Sequence, residues 1–309
     1  MKSRSLHYLV RSNQVAIFLR QGMGSIWEID FYSRPILDEN QKKIWEVLVC
    51  ESLTDIRTKP DSLFRFAKYC PSTQVNSVWL RTALEEAIAA AGVSPVKFRF
   101  FRRQMNNMIT KACEDLGIPA QPSRRTLALN QWLQQRMEEV YPHEPGYQAT
   151  TNPSVRMEVP LPQRLPDALI GQQWAFVTLE AAAFADMPEW EIGFGEAFPL
   201  EIAGVKPETK IPGVIVLSPR AMPLAGWMSG LELANIKFDS TETPQLLLET
   251  GVTESWILAS FKDPQMIAEA KGFESAKQQA NGVHFLAVQA NPEVEAFAGF
   301  WLLQEPNLP

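Results

Sequence analysis

The chain has 309 residues, 46% hydrophobic and 21% charged, with 9 Trp and 17 Phe, which excludes the disordered and low-complexity classes and supplies enough apolar bulk for two domains. Cys50, Cys70 and Cys113 are scattered and odd in number, so they offer neither a disulfide framework nor a zinc knuckle and point to a reducing compartment. No apolar run reaches the ~18 residues of a membrane-crossing helix. The net charge of −6 divides unevenly: Lys+Arg against Asp+Glu is 20 to 15 over 1–145 and 9 to 20 over 146–309, hence +5 and −11.

Residues 1–22 carry Lys2, Arg4, Arg11 and Arg20 and no acid, so they read as an extension. They suit either an upstream start codon, since Met23 precedes the first clean strand, or a targeting remnant. Without them the first half is only 16 to 15, and any electrostatic case for a polyanion must be local. From Ile26, Trp27, Ile29 and Phe31 alternate with Glu28, Asp30 and Tyr32, the mark of a half-buried strand. Strands over 44–51 and 63–69 follow. Leu80, Leu84, Ala87, Ile88 and Ala91 then line one helical face that stops at Gly92. A fourth strand spans 96–101, and Met105, Met108, Ile109, Ala112, Cys113 and Leu116 form a second helix closed by Gly117. A short strand at 118–121 precedes a helix bearing Leu129, Trp132, Leu133, Met137 and Val140.

The order βββαβαβα predicts an α/β domain over 23–141 with a mixed sheet and ribonuclease H-like element order, an analogy that carries no activity. Six prolines between Pro142 and Pro166 mark a linker, 142–169. The acidic remainder, 170–309, reads as α+β. Its strands lie at 174–179 and 213–217, and a hairpin pairs 245–249 with 255–261. A helix capped by Asp263-Pro264 ends at Asn281-Gly282, and two last strands cover 283–289 and 297–303.

The sharpest local signal lies at residues 97–125. Lys97, Arg99, Arg102, Arg103, Lys111, Arg124 and Arg125 stand against Glu114 and Asp115, a surplus of +5. Arg102 and Arg103 open a helix, where cations oppose the macrodipole but two guanidinium forks suit a phosphate. Arg103, Asn107 and Lys111 continue along one helical face. Two readings compete. One is a phosphate track with Phe101 and Tyr32 as base-stacking platforms. The other is an arginine pair neutralised by Glu28 or Asp30 on the neighbouring strand, with a solvated basic face beyond.

Enzyme signatures are poor. A two-metal nuclease built on Asp30 with Glu85 or Glu86 lacks a carboxylate on the fourth strand, which carries Lys97 and Arg99 instead. His7, His143 and His284 are scattered, and His284, opening an apolar strand, reads as structural. Gly193-Phe-Gly195 is no dinucleotide loop, and nothing points to a catalytic residue, metal or cofactor. The apolar run Ala296–Leu303 reads as an interior strand or as an edge on which a partner docks.

Several stretches are familiar: Ile26-Trp-Glu-Ile-Asp-Phe-Tyr-Ser-Arg-Pro-Ile-Leu-Asp-Glu-Asn-Gln-Lys-Lys, Phe100-Phe-Arg-Arg-Gln-Met-Asn-Asn-Met-Ile, Gly171-Gln-Gln-Trp-Ala-Phe-Val, Ala270-Lys-Gly-Phe-Glu-Ser-Ala-Lys and Phe300-Trp-Leu-Leu. Together they resemble the Tab/Atab family of photosystem I translation factors, from about Met23 to Leu303. The resemblance implies a non-catalytic RNA-binding protein. Such a protein would bind A/U-rich, single-stranded sequence in a messenger leader, promote translation of a photosystem I reaction-centre subunit and aid photosystem assembly with partner proteins. It would work in a cyanobacterial cytoplasm or a chloroplast stroma. The family's terminal Trp-Leu-Leu falls on Trp301, Leu302 and Leu303, assigned here to partner docking. The resemblance favours the phosphate track, with Lys97, Arg99, Arg102, Arg103, Asn107, Lys111, Arg124 and Arg125 on the backbone and Phe101 and Tyr32 on the bases. The alternatives are the Asp30 nuclease and a protein-only assembly factor.

Overall fold

A computed structural model describes residues 24–149 and 161–305; the expectation for residues 1–22 and the middle of the proline-rich segment lie outside the described residues. In the first half, β1 (Ile26–Leu37), β2 (Lys43–Glu51) and β3 (Arg65–Cys70) form a meander. They are followed by α1 (Ser77–Ala91), β4 (Lys97–Phe100), α2 (Asn106–Glu114), β5 (Ala120–Pro122) and α3 (Leu127–Glu139). The sheet order is β3-β2-β1-β4-β5, with β1 antiparallel to β2 and parallel to β4. Local chemistry sets the helix ends. The Asn76 side chain accepts from Trp79 N at the start of α1, and Gly92, at φ 68°, closes it in the left-handed region that a residue without Cβ enters cheaply.

Alternation along β1 decides the layers. Trp27, Ile29 and Phe31 join Phe98 and Phe100 beneath α1 and α2, where Leu80, Leu84 and Ile109 complete a cluster closed to solvent. Glu28 and Asp30 face the opposite way, and Glu28 Oε2 accepts from Leu129 N of α3. The proline-rich segment is anchored at its described ends. Leu37 N donates to Gly146 O and Gln148 N to Pro35 O, while Gln163–Arg164 is a short strand, β6.

The second half builds two sheets. The five-stranded one has the order β7-β9-β13-β14-β8, from β7 (Gln173–Glu180), β8 (Ile192–Glu196), β9 (Lys210–Leu217), β13 (Val283–Gln289) and β14 (Phe297–Gln304). The four-stranded one, β10-β11-β12-β6, uses β10 (Leu233–Asp239), β11 (Gln245–Thr250) and β12 (Glu254–Ser260). Helices α4 (Ala221–Ser229) and α5 (Pro264–Gln279) pack between them; Asp263 caps α5, its side chain accepting from Gln265 N, with Pro264 in the first turn.

The halves share a core. One apolar cluster draws Leu48, Cys50, Leu129 and Trp132 from the first half and Phe184, Phe198, Phe285, Phe300 and Leu302 from the second. This placement corrects the docking assignment at the chain's end. Trp301, Leu302 and Leu303 are 4%, 0% and 1% exposed on β14, which is flanked on both sides by strands, so they are core and not an exposed edge.

Gly213 of β9 pairs with Phe285 of β13, and a Cβ there would lie 2.2 Å from the Phe285 ring. That ring is stacked on Phe300 at 5.1 Å and cannot retreat. Gly213→Ala should therefore destabilise the protein by about 1–3 kcal/mol, read as a lowered denaturation midpoint. An unchanged midpoint would show that the ring is free to move.

Candidate nucleic-acid interface

Strand β4 sorts its side chains by face. Phe98 and Phe100 enter the core under α1 and α2, which leaves Lys97 and Arg99 on the side that meets the second half. There Arg99, 2% exposed, takes Glu196 of β8 in a two-pronged pair, Nη1–Oε1 2.6 Å and Nη2–Oε2 2.9 Å. Its Nε lies 2.7 Å from Glu232 Oε2. Lys97 pairs with Glu232 as well, and Ser123 Oγ donates to the same carboxylate at 2.9 Å. Arg124 pairs with Glu249 at 2.5 Å. Arg125 Nε reaches Glu196 Oε1 at 3.1 Å, while its Nη atoms donate to the carbonyls of Leu233 and Leu302.

Four members of the expected phosphate track, Lys97, Arg99, Arg124 and Arg125, thus lie in the seam between halves, each clasped by a carboxylate from the second half. The seam corrects the idea that they stand open to a polyanion: their acids come from 71 to 135 positions away along the chain, not from the adjacent strand. Burial pushes the Glu196 carboxyl up, but Arg125 and Arg99 overcome that and hold it at about 2.

Arg102 has a different neighbour. Its Nε donates to Asp30 Oδ1 at 2.6 Å, and Arg34 Nη1 donates to Oδ2 at 2.9 Å, so both carboxylate oxygens are taken. Burial pushes Asp30 up, and the two guanidiniums together hold it below the ordinary carboxylate range. Here the neutralised-arginine reading describes the geometry. The helix carboxylates proposed as metal ligands are elsewhere: α1 packs on the opposite face of the sheet, with Glu85 paired to Arg81 and Glu86 to Lys68 at the surface. Among the described residues no group of three or more His, Cys, Asp or Glu is placed to hold a metal ion. His284 is fully buried, with Nε2 accepting from Ile236 N and Nδ1 facing Gly282 O; burial and Lys277 hold it neutral, at about 3.

Tyr32 and Phe101 are brought together, with Arg102 over both rings, 4.1 Å from the Tyr32 centroid and 4.8 Å from that of Phe101. This stack sits at the carboxyl end of β4 beside β1, where the sheet order reverses. Open α/β sheets place their ligands at such switch points. Arg103, Asn107 and Lys111 form an exposed stripe at intervals of four, and Lys111, 59% exposed, makes a surface pair with Asp115 that water and salt readily loosen. Beside the stripe the seam opens into a cleft of about 510 Å³ whose lining includes Gln104, Asn106, Asn107 and Gln121. The amides at 104, 106 and 121 carry no charge and so add nothing to the cationic pattern; the run Gln104-Met-Asn-Asn was the signal for the first two.

Comparison with known proteins follows the two halves. Residues 26–136 match the model for the RNA-binding protein Tab2/Atab2 N terminal, and 152–304 that for the RNA-binding protein Tab2/Atab2, C-terminal domain. The protein TAB2 homolog, chloroplastic, of Zea mays is 42% identical over 284 residues, 90% of this chain and 70% of the relative. Its counterpart in Arabidopsis thaliana is 41% identical over 285 residues, 90% and 74%.

Arg99→Ala leaves Glu196 and Glu232 without their shared cation in a dry seam and should cost about 3–5 kcal/mol in denaturant unfolding. A loss under about 1 kcal/mol would show that the seam does not depend on it. Glu28 provides a pH test. Burial raises its carboxyl to about 7, against the bonds it accepts from Ser52 Oγ and Leu129 N. The fold thus favours the neutral acid, and that contribution is present at low pH and lost as pH rises through 7. Glu196 has the opposite sign, stabilising above about 4.5 and losing its effect as pH falls toward 2. Glu28→Gln should flatten the decline in stability between pH 5 and 8.5 by roughly 2–3 kcal/mol. Parallel pH profiles for variant and parent would rule that shift out.

Proposed function

The chain belongs to the Tab2/Atab2 family, and on that premise we propose that it binds single-stranded, A/U-rich RNA in a messenger leader and promotes translation of a photosystem I reaction-centre subunit. It acts by binding, in a chloroplast stroma or a cyanobacterial cytoplasm, and aids photosystem assembly. The observation that carries this reading is the match of both RNA-binding family models, one to each half of a single chain. No helix among the described residues is long and apolar enough to cross a membrane.

The contact surface follows from what the seam leaves outside. Arg103, Asn107 and Lys111 lie along the strand's phosphates, and the Tyr32–Arg102–Phe101 stack marks one end of the path at the switch point. The second half keeps Glu180, Asp186, Glu189, Glu191, Glu201 and Glu208 exposed. Such a surface repels phosphate, and we assign it to protein partners in translation or assembly.

With two cations, Arg103 and Lys111, engaging phosphates, log affinity for single-stranded RNA should fall against log salt with a slope near −1.4. Arg103→Gln with Lys111→Gln should make that slope shallower by about 1.4 while circular dichroism stays unchanged. A parent slope near zero would sink the backbone contacts. An unchanged slope in the variant would move them off this stripe.

A further inference from the structure

We propose that the cleft between the halves takes one unstacked nucleobase of the bound strand and reads its edge with side-chain amides. The inference rests on the RNA-binding reading above and adds the part of the ligand that enters the fold.

The cleft's lining carries charges of both signs. Glu232 is quenched by Lys97, Arg99 and Ser123, and the exposed Glu254 shares the lining with the exposed Arg103, so a neutral ring enters without meeting a strong field of either sign. At about 510 Å³ the space is of the size small-molecule sites use. Pro122, Leu231 and Val252 supply apolar contact for the ring's faces.

The polar groups are amides with part of their bonding left over. Lys97 Nζ donates to Gln121 Oε1 at 3.2 Å. An ammonium can only donate, so the atom facing it is the oxygen, and the NH₂ end of Gln121 is left for the cleft. Asn106 Nδ2 donates to Asn107 Oδ1 at 3.2 Å, which leaves the Asn106 oxygen and the Asn107 NH₂. Donors and an acceptor thus sit side by side, the pattern that pairs with a base edge and carries no net charge.

The cleft is also preformed. Arg124 N and Nε both donate to Gly251 O at 3.2 Å, and Gly251 N donates to Glu232 O at 2.7 Å. These bonds tie the first half to the turn between β11 and β12, so little ordering remains for binding to supply.

The test uses the full chain and 12-nucleotide single-stranded RNAs, either fully based or carrying abasic residues, with anisotropy read at two salt concentrations. The variant is Asn106→Ala/Asn107→Ala/Gln121→Ala, whose helical substitutions favour the helix. The parent should prefer based over abasic RNA by about 5- to 100-fold. The variant should lose most of that preference, keeping only the share owed to stacking on Tyr32 and Phe101, and keep the parent's salt slope, because base contacts release no counterions. A variant that retains the preference in full overturns the cleft as reader while RNA binding stands. A parent that binds neither RNA removes the RNA-binding reading and the cleft's role together. Adenosine monophosphate is titrated separately. Binding as tight as the RNA, and lost in the variant, would reassign the cleft to a free nucleotide and overturn the proposal.

Discussion

Arg99 between Glu196 and Glu232 is the constraint on which the arrangement of the halves depends. A buried guanidinium demands acids in matching geometry, and leaving it unpaired would cost several kcal/mol. Because one carboxylate comes from β8 and the other from the turn before β10, the requirement is met in one relative placement of the halves. Lys97, Arg124 and Arg125 extend the same rule along the seam. Charge that resembled a beacon for RNA is, for these four residues, an internal fastening.

Local features were legible in the sequence because their causes are local. The alternation of Trp27, Ile29 and Phe31, the cap at Gly92 and the Asp263-Pro264 start each follow from a neighbour within a few positions. Other elements escaped for equally physical reasons. Helix α4 is apolar nearly all round, so it shows no amphipathic period, and two glycines interrupt the alternation of β8. The third and fifth strands came out shifted by one or two residues, at 65–70 and 120–122. Trp301-Leu-Leu is apolar whether it lines an interior strand or a docking edge, and the flanking strands that decide the matter lie far away in sequence.

The candidate site divides in the same way. Arg103, Asn107 and Lys111 were readable as one helical stripe, and Tyr32 was readable as pointing away from the core face of β1. That Arg102 would be gripped by Asp30 was visible as an alternative. That Glu196, Glu232 and Glu249 would claim the other cations was not, since no pattern in a single chain announces pairs separated by a hundred residues. The surviving surface is weakly charged and rich in amides. On the proposed reading, a few phosphate contacts would set position and shaped polar groups would discriminate, a balance that suits recognition of single strands.

The shared core has an evolutionary corollary. Because Leu129 and Trp132 pack with Phe285 and Phe300 in one cluster, and the ionic fastening runs beside it, neither half can drift in sequence without compensation in the other. A chimaera joining one half of this chain to the complementary half of a distant cousin would inherit mismatched charges in a dry place. The two parts are in that sense a single inheritance, obliged to change in step even where their outer surfaces diverge.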